Sequence, residues 1–279
     1  KAALAMVASA LGFSLMAVCV KRVSARIPVA EVMLARAGVS VLLSWWMVRR
    51  AGVNPWGTRR GLLVVRGVIG SVALFCVYAA LARLPLAEAT LLQYLYPTFT
   101  ALLAWAFLGE RLGARLIPAI ALGWLGVLLM IRPPVQPEGL PLSGVLFAVA
   151  GALLTALAYV SVRSLGASEH PLVIVLYFPL VAIPLSLPLV LLDPVLPTPA
   201  ELAWLLGVGV FTQLGQIGLT HGLTQLPAAR ATAISYSQVV FAGVWGWWLF
   251  GETIGPWTVL GALLILGAAL LSLQQESEP

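Results

Sequence analysis

The sequence predicts an all-α integral membrane protein with ten transmembrane helices arranged as two repeats. Of its 279 residues, 61% are hydrophobic and 9% are charged, and the mean hydropathy is +1.01. One water-soluble core cannot enclose that share of apolar side chains, so lipid must surround most of the chain. The second observation is a set of ten apolar stretches, each close to the roughly 20 residues that span a bilayer as a helix.

The ten stretches are separated by short connections that leave no room for a soluble domain. They cover approximately residues 2–20, 29–48, 61–82, 86–108, 114–131, 142–162, 171–192, 201–224, 229–250 and 256–273. The first stretch lacks a convincing small-residue cleavage site and has a match in the second half. We therefore interpret it as a retained helix rather than a signal peptide.

The third observation is that the chain aligns with itself after a shift of 142 positions. The coincident residues include Lys21 with Arg163, Leu84-Pro85 with Leu226-Pro227, Tyr94 with Tyr236, and Gly109-Glu110 with Gly251-Glu252. Such a match predicts a first repeat at residues 1–132, a Pro-rich linker at 133–141 and a second repeat at 142–279. Because five helices per repeat is an odd number, the second repeat should enter the membrane inverted, related to the first by a two-fold axis in the membrane plane.

The distribution of basic residues predicts that both termini are cytoplasmic. More Lys and Arg fall on the side of the N-terminus than on the opposite side, with the largest group at residues 49–60. The net charge of +6 is then a topology signal. It does not indicate nucleic acid as a partner, because the basic residues sit at helix ends and form no continuous stripe.

The second and third predicted helices carry polar groups into the membrane. Arg36 lies about seven residues into its helix, roughly 10 Å along the axis. It must snorkel, face a cavity or pair with an acid, and we expect a structural or gating pair with Glu88, with Glu31 as the alternative. In the third helix, Ser71 and Tyr78 are expected to face inward because the repeat aligns them with polar residues of the eighth helix.

The fourth helix has a polar sector, and the fifth and tenth lack one. Thr90, Gln93, Tyr94 and Thr98 share a sector of the fourth helix. Pro97 removes one backbone hydrogen bond about halfway along this helix, so it should kink the helix and act as a hinge. The fifth and tenth helices are rich in Gly, Ala and Leu, and we place them at the periphery as buttresses or as a dimer contact.

The second half repeats the polar pattern. Gln213, Gln216 and Thr220 of the eighth helix recur at i, i+3 and i+7, which places them on one face. The ninth helix carries Ser235, Tyr236 and Gln238 where the fourth has its polar sector, with Gly243 and Gly246 as its flexible points. Tyr159 of the sixth helix adds an aromatic face for a cation.

Polar faces on four helices predict one solvated cavity. The candidate substrate-binding residues are Ser71, Tyr78, Gln93, Tyr94, Tyr159, Gln213, Gln216, Thr220, Ser235, Tyr236 and Gln238. The alternative is that these groups bond across helices as packing contacts, each worth on the order of 1 kcal/mol. Two glutamines one turn apart favour the cavity, because water or a substrate satisfies their donors and acceptors more readily than apolar neighbours do.

Residue types that are missing from the predicted helices restrict the expected substrate and cofactors. No Asp or Glu lies near the middle of a predicted helix, whereas carriers of cations usually place a carboxylate at membrane depth. We therefore expect a substrate without large net charge, such as a zwitterion or a polar aromatic molecule. Cys19 and Cys76 have no metal-ligand neighbours and should be small buried hydrophobes, so neither a metal nor a cofactor is expected.

One stretch identifies a family resemblance. Residues Leu84 to Pro97, followed by Gly109-Glu110-Arg111, resemble the fourth helix of EamA-type members of the drug/metabolite transporter superfamily, and Leu226 to Gly251-Glu252 resembles the matching helix of a second EamA unit. The resemblance implies two inverted five-helix repeats, a central cavity lined by helices 1, 3, 4, 6, 8 and 9, and alternating access. Within the family the chain is most similar to YddG-type exporters of amino acids, including aromatic ones.

The sequence thus predicts a bacterial inner-membrane carrier that exports small neutral or zwitterionic metabolites, with amino acids favoured. Its expected partners are a small-molecule substrate and the lipid bilayer, and the protein is expected to be a monomer or homodimer. The alternatives are a nucleotide-sugar or nucleoside-type carrier, an amphipathic drug carrier, and a non-transporting scaffold. A nucleotide-sugar carrier would require a cluster of basic side chains in the cavity. The sequence predicts one such side chain, Arg36. Motifs for an intramembrane enzyme are missing from the sequence.

Overall fold

The computed structural model describes residues 2–108, 116–131, 140–166, 168–225, 234–235 and 237–274. All regular secondary structure in these residues is helical. The helices are α1 (Ala2–Val23), α2 (Val29–Arg50), α3 (Arg60–Arg83), α4 (Leu86–Gln93), α5 (Tyr96–Leu108), α6 (Leu116–Ile131), α7 (Leu142–Gly166), α8 (Pro171–Leu192), α9 (Pro199–Gln225), α10 (Ser237–Phe250) and α11 (Pro256–Gln274).

The length and composition of the helices suit a membrane protein. Within the described residues, five helices are long and apolar enough to cross a bilayer, namely α1, α2, α3, α7 and α8. Large apolar side chains such as Leu42, Trp247 and Leu192 stand exposed on the outside of the bundle. In water this surface would drive aggregation, and in a bilayer it contacts lipid tails.

The predicted fourth span is two helices rather than one. α4 ends at Gln93, and Tyr94 and Leu95 form a turn closed by bonds from the Tyr94 amide to the Leu91 carbonyl (2.9 Å) and from the Leu95 amide to the Leu92 carbonyl (3.2 Å). Pro97 is the second residue of α5, where its missing N–H breaks no intrahelical bond. The predicted kink is therefore a full break, which ends α4 before the proline.

Packing between helices follows the repeat. α1 packs along α9, and α3 packs along α7, while α2 pairs with α8, α4 with α10, and α6 with α11. The shift of 142 positions carries α1 onto α7 and α3 onto α9. It also carries α2 onto α8 and α6 onto α11. Exchange of the two halves therefore turns the α1–α9 contact into the α3–α7 contact and returns the α2–α8 and α6–α11 contacts, which is the pattern that a two-fold axis between the halves would produce.

The α1–α9 contact depends on small residues. The Ser9 hydroxyl donates a 2.6 Å hydrogen bond to the Gly215 carbonyl. An added Cβ at Gly12 would lie 3.0 Å from the Gly215 amide nitrogen, and one at Gly218 would lie 2.6 Å from the Ala5 carbonyl oxygen. Glycine at these positions lets the two backbones approach closely enough to pack and hydrogen-bond without a hydrophobic driving force.

Ion pairs join the two halves at one end of the bundle, which we call the Glu252 end. The Lys21 ammonium lies 2.8 Å from one Glu252 carboxylate oxygen, and the other oxygen accepts a 2.7 Å bond from the Leu86 amide at the start of α4. Arg26, in the α1–α2 connection, pairs with Glu201 in the first turn of α9. Both pairs connect a cation of the first half to an acid of the second.

A capping carboxylate joins the halves at the opposite end, the Glu169 end. Glu169, between α7 and α8, accepts hydrogen bonds from the Thr58 amide (2.8 Å), the Thr58 hydroxyl (2.6 Å) and the Arg59 amide at the start of α3. Gly57 has a φ of 60° and turns the chain so that these groups face the carboxylate. α3 has no capping side chain of its own at Arg59, so Glu169 caps the helix from the other half.

Glu169 should make stability depend on pH. The hydrogen bonds from the Arg59 amide and then Thr58 lower the pKa of its carboxyl below the usual value. Because its pKa is lower in the folded state, ionised Glu169 stabilises the fold at pH values above its unfolded pKa, near 4.3. This stabilisation is lost as the pH falls through the folded pKa. We expect Glu169→Gln to unfold a few degrees below the wild type at pH 7. In thermal scans in detergent, this difference should shrink below about pH 4; a constant difference would contradict the capping role.

Candidate functional site

The predicted site residues fall into two groups, the first of which joins α4, α7 and α10. The Tyr94 hydroxyl donates to the Ser235 carbonyl at 2.7 Å and lies 3.4 Å from the Gln238 side-chain oxygen. The Gln93 amide nitrogen donates to the Thr155 hydroxyl at 3.0 Å. Tyr94, Ser235 and Gln238 therefore lie together, while Gln93 contacts α7, and these side chains form cross-helix contacts. Their predicted role in lining a cavity stays a prediction.

Three tyrosine rings line this region, and we call them the tyrosine row: Tyr94, Tyr96 and Tyr159. The Tyr96 ring lies 6.2 Å from the Tyr94 ring and 5.3 Å from the Tyr159 ring, the latter at 66°. Tyr94 is buried, whereas Tyr159 is 39% exposed. The prediction did not include Tyr96, although its place two residues after Tyr94, beside the helix break, could have identified it.

The second group lies apart, between α2, α3 and α9. The buried Ser71 hydroxyl donates to the Gly67 carbonyl of its own helix at 2.8 Å. Tyr78 is 0% exposed, and its hydroxyl lies beside Thr212 without a hydrogen bond of normal geometry. The Gln213 amide nitrogen is 3.8 Å from the Met47 sulfur. Ser71 thus bonds within α3, Tyr78 lies beside α9, and Gln213 lies against α2.

The remaining predicted positions are placed as follows. Gln216 is exposed on α9. Tyr236 and the side chains of Thr220 and Pro97 lie outside the described part of the chain. Gly243 and Gly246 are buried in α10. The Gly246 carbonyl accepts a 3.0 Å bond from the Glu252 amide, so this glycine supports the ion-paired loop, and its role as a hinge stays a prediction.

The predicted charge pair between Arg36 and Glu88 is not formed. Within the described residues, the ion pairs are Lys21–Glu252 and Arg26–Glu201. Glu88 lies in the first turn of α4 and accepts a 3.1 Å bond from Thr258 of α11. Arg36 lies on the side of α2 that packs against α8 and α9, so the two side chains face different neighbours.

Arg36 has a second arginine as its neighbour. Arg36 is 8% exposed, its Nε lies 3.4 Å from the Thr212 hydroxyl, and its guanidinium carbon is 5.2 Å from the centroid of the Phe178 ring. The guanidinium carbon of Arg66, from α3, lies 5.0 Å from the same centroid. From the sequence, Arg66 is one of the basic residues on the side of the N-terminus that predict the orientation of the chain. Its position inside the apolar stretch 61–82 was the signal that could have found it.

Two cavities of about 480 Å³ lie away from these residues. One is at the α2–α3 connection, lined by residues that include Trp45, Arg49 and Trp56. The other is an apolar groove between α4, α10 and α11. Of the predicted site residues, Gly243 lines the second cavity. The solvated central cavity that the sequence predicts therefore stays a prediction.

Comparison with known proteins places the chain among transporters. The EamA-like transporter family matches residues 1–132 and 142–274. The pseudopaline exporter CntI of Pseudomonas aeruginosa (strain UCBPP-PA14) is 35% identical over 264 residues, which cover 92% of this chain and 90% of the exporter. Human solute carrier family 35 member G1 is 28% identical over 256 residues, covering 85% and 70% of the two chains.

Two further comparisons are with a third transporter and with a solved structure. A riboflavin transporter of Rhizobium johnstonii is 28% identical over 283 residues, covering 98% of this chain and 91% of that protein. A solved crystal structure superposes with a TM-score of 0.70 at 20% identity, over 100% of this chain and 99% of the other. At that identity the structural match shows a shared fold alone.

Proposed function

The chain belongs to the EamA-like transporter family of membrane transporters, and from this premise we propose that it is a secondary exporter of small polar metabolites that works by alternating access. The observation that carries the proposal is the repeat, because the family matches each half separately and the α1–α9, α3–α7, α2–α8 and α6–α11 contacts are preserved when the halves are exchanged. We further propose that the halves are inverted, that both termini are cytoplasmic, and that the protein resides in a bacterial inner membrane.

The ion pairs support a state closed at the Glu252 end. Lys21 and Arg26 of the first half hold Glu252 and Glu201 of the second half. Lys21 also donates to the Leu84 carbonyl, so the pair fixes α1, the α3–α4 corner and the loop after α10 together. Opening this end requires these contacts to break, while contacts at the Glu169 end form or persist.

The repeat supplies a counterpart for the main ion pair. The shift of 142 positions carries Lys21 onto Arg163 and Glu110 onto Glu252. Glu110 and the Arg163 side chain lie outside the described part of the chain. The repeat therefore places a cation and an acid at corresponding sequence positions of the two halves.

The substrate is proposed to be a small polar metabolite, with amino acids, including aromatic ones, as one candidate class. The tyrosine row gives ring faces for the apolar part of such a molecule, and the Tyr94–Ser235 and Gln93–Thr155 bonds hold the row in place. A relative that shares 35% of its residues exports pseudopaline, so a substrate panel must extend beyond amino acids.

Substitution of Tyr94 tests the proposed function. We expect Tyr94→Leu to lower counterflow in proteoliposomes at least about tenfold, because it removes both a ring of the row and the bond to Ser235 (a factor of ten is about 1.4 kcal/mol). Tyr94→Phe keeps the ring and loses the bond, so it should retain part of the flux. The measurement is uptake of labelled substrates from a panel of amino acids, nucleosides and organic cations. Wild-type flux in Tyr94→Leu would remove this residue from the site.

A further inference from the structure

We propose that Arg36 and Arg66, held on the Phe178 ring, form an anion-binding site that receives a carboxylate or phosphate group of the transported metabolite. The proposal deepens the proposed transport function and rests on it. The sequence predicted a substrate without large net charge and a single arginine at membrane depth. The tertiary structure instead brings together two guanidinium groups from α2 and α3.

The site is formed where α2, α3, α8 and α9 meet. Both guanidinium groups contact the Phe178 ring of α8, with the Arg36 and Arg66 guanidinium carbons 5.2 Å and 5.0 Å from the ring centroid. Gly70, one turn after Arg66, admits this arrangement, because an added Cβ would lie 2.9 Å from the Phe178 ring and 3.0 Å from an Arg66 nitrogen. The ring attracts each cation through its negative face, and it fixes both planar groups in place without neutralising them.

Among the described residues, neither arginine forms an ion pair with an acidic side chain. The ion pairs within the described residues lie elsewhere, at Lys21 and Arg26. The Arg66 Nε and Nη1 atoms are buried and lack a hydrogen-bond acceptor among the described residues, and the Arg36 Nε has the 3.4 Å contact to Thr212. Two like charges close together at low dielectric repel each other and lose hydration. An anion with paired oxygens would satisfy both groups, since guanidinium binds carboxylate and phosphate through two parallel bonds.

Other arginines show what a purely structural arrangement looks like in this protein. Arg83, also on α3, lies 4.8 Å from the centroid of the Phe147 ring, and its guanidinium donates a 2.9 Å bond to the Ala79 carbonyl at an exposed position. Arg26 is exposed and paired with Glu201. Arg66 differs from both, because its guanidinium lies over an aromatic ring and its buried Nε and Nη1 atoms have no acceptor among the described residues.

The tyrosine row continues from this site. Tyr159 lies near Arg66, on α7, which packs along α3, and the Tyr159 ring packs against Tyr96. A molecule with an anionic group at the two arginines would therefore place its remaining part along the tyrosine rings. This geometry favours a carboxylate- or phosphate-bearing metabolite over an organic cation, and it requires no carboxylate in the membrane.

The experiment uses the full chain in detergent and in proteoliposomes. The probes are 2-oxoglutarate for carboxylates, glucose 6-phosphate for phosphates, leucine for zwitterions and tetraphenylphosphonium for cations. The variants are Arg66→Gln, Arg66→Lys and Arg36→Gln, with Arg83→Gln as the matched control on α3. Binding is measured as the shift in melting temperature that each probe causes, and transport as counterflow.

We expect at least one of the three probes that carry a carboxylate or phosphate to raise the melting temperature of the wild type and of Arg83→Gln. The same probe should raise the melting temperature of Arg66→Gln and Arg36→Gln by no more than about a tenth of that shift. Arg66→Lys should retain part of the shift. Without a probe, Arg66→Gln should melt no lower than the wild type, because it removes a cation whose donors are buried and unpaired. The preferred probe identifies the group as carboxylate or phosphate. Binding of tetraphenylphosphonium but of none of these three probes, or equal shifts by the preferred probe in Arg66→Gln and Arg83→Gln, would overturn the proposal. Anion binding without counterflow of any probe would leave the anion site standing and overturn the transport function.

Discussion

Lys21→Gln is expected to open the Glu252 end of the bundle and to destabilise the protein by about 2–3 kcal/mol, somewhat below the cost of removing one partner of a fully buried ion pair. The Lys21 and Glu252 side chains are 17% and 16% exposed, so screening by water is weak. The substitution leaves the Glu252 carboxylate with the Leu86 amide as its remaining partner at this corner. The double variant Lys21→Gln/Glu252→Gln should be less destabilised than the two single losses added together, because it leaves no unpaired charge.

A native cysteine can report the opening directly. The sequence has two cysteines, so a Cys76→Ala background leaves Cys19, which is buried and two residues before Lys21. We expect Lys21→Gln to speed the labelling of Cys19 by a membrane-impermeant maleimide. Arg22→Gln is the matched control, since Arg22 is exposed in the same turn. Equal labelling of Cys19 in both variants would show that the ion pair does not close this end.

Gly218→Ala is expected to cost about 3 kcal/mol, at the upper end of the usual cost of overpacking. The added Cβ would lie 2.6 Å from the Ala5 carbonyl oxygen and 3.0 Å from the Ser9 Cβ. Because the first of these atoms belongs to the backbone, no side-chain rotation relieves the contact. α1 and α9 must move apart, and the Ser9–Gly215 hydrogen bond in the same contact is then weakened.

Gly38→Ala provides the control for this substitution. Gly38 lies in α2, and an added Cβ meets nothing within 4 Å, so alanine should be neutral or slightly stabilising through its higher helix propensity. Unfolding in detergent, followed by circular dichroism, compares the two variants. Equal midpoints for Gly218→Ala and Gly38→Ala would show that the α1–α9 contact can separate without loss.

The sequence was most informative about helices and least informative about which side chains meet. Apolar stretches predicted the helices because bilayer thickness sets a length and lipid contact sets a composition. Pro97 predicted a defect in the fourth span, although the structure shows a complete break. The Arg36–Glu88 pair failed because a sequence position gives a depth in the membrane and does not give the azimuth at which a helix packs against its neighbours.

For the predicted site residues as well, the sequence was less informative about which side chains meet. Tyr94, Ser235 and Gln238 were predicted to share one surface, and the structure brings them together, whereas Gln93 bonds to Thr155 of α7. Ser71 and Gln213 were expected on the same surface, but Ser71 bonds to its own helix and Gln213 lies against Met47. A hydroxyl or amide at membrane depth has several ways to satisfy its bonds locally, so helical periodicity alone cannot tell a cavity wall from a packing contact.

By itself, the sequence determined that this chain is a helical membrane protein of duplicated design, because hydropathy and repetition are properties of the order of residues along the chain. Only the tertiary structure decided the partners of the charged groups. It paired Lys21 with Glu252 across the halves and brought Arg66 to the same aromatic ring as Arg36. The reason is physical: charge interactions at low dielectric depend on distances of a few ångströms, and those distances are set by helix packing between residues far apart in sequence.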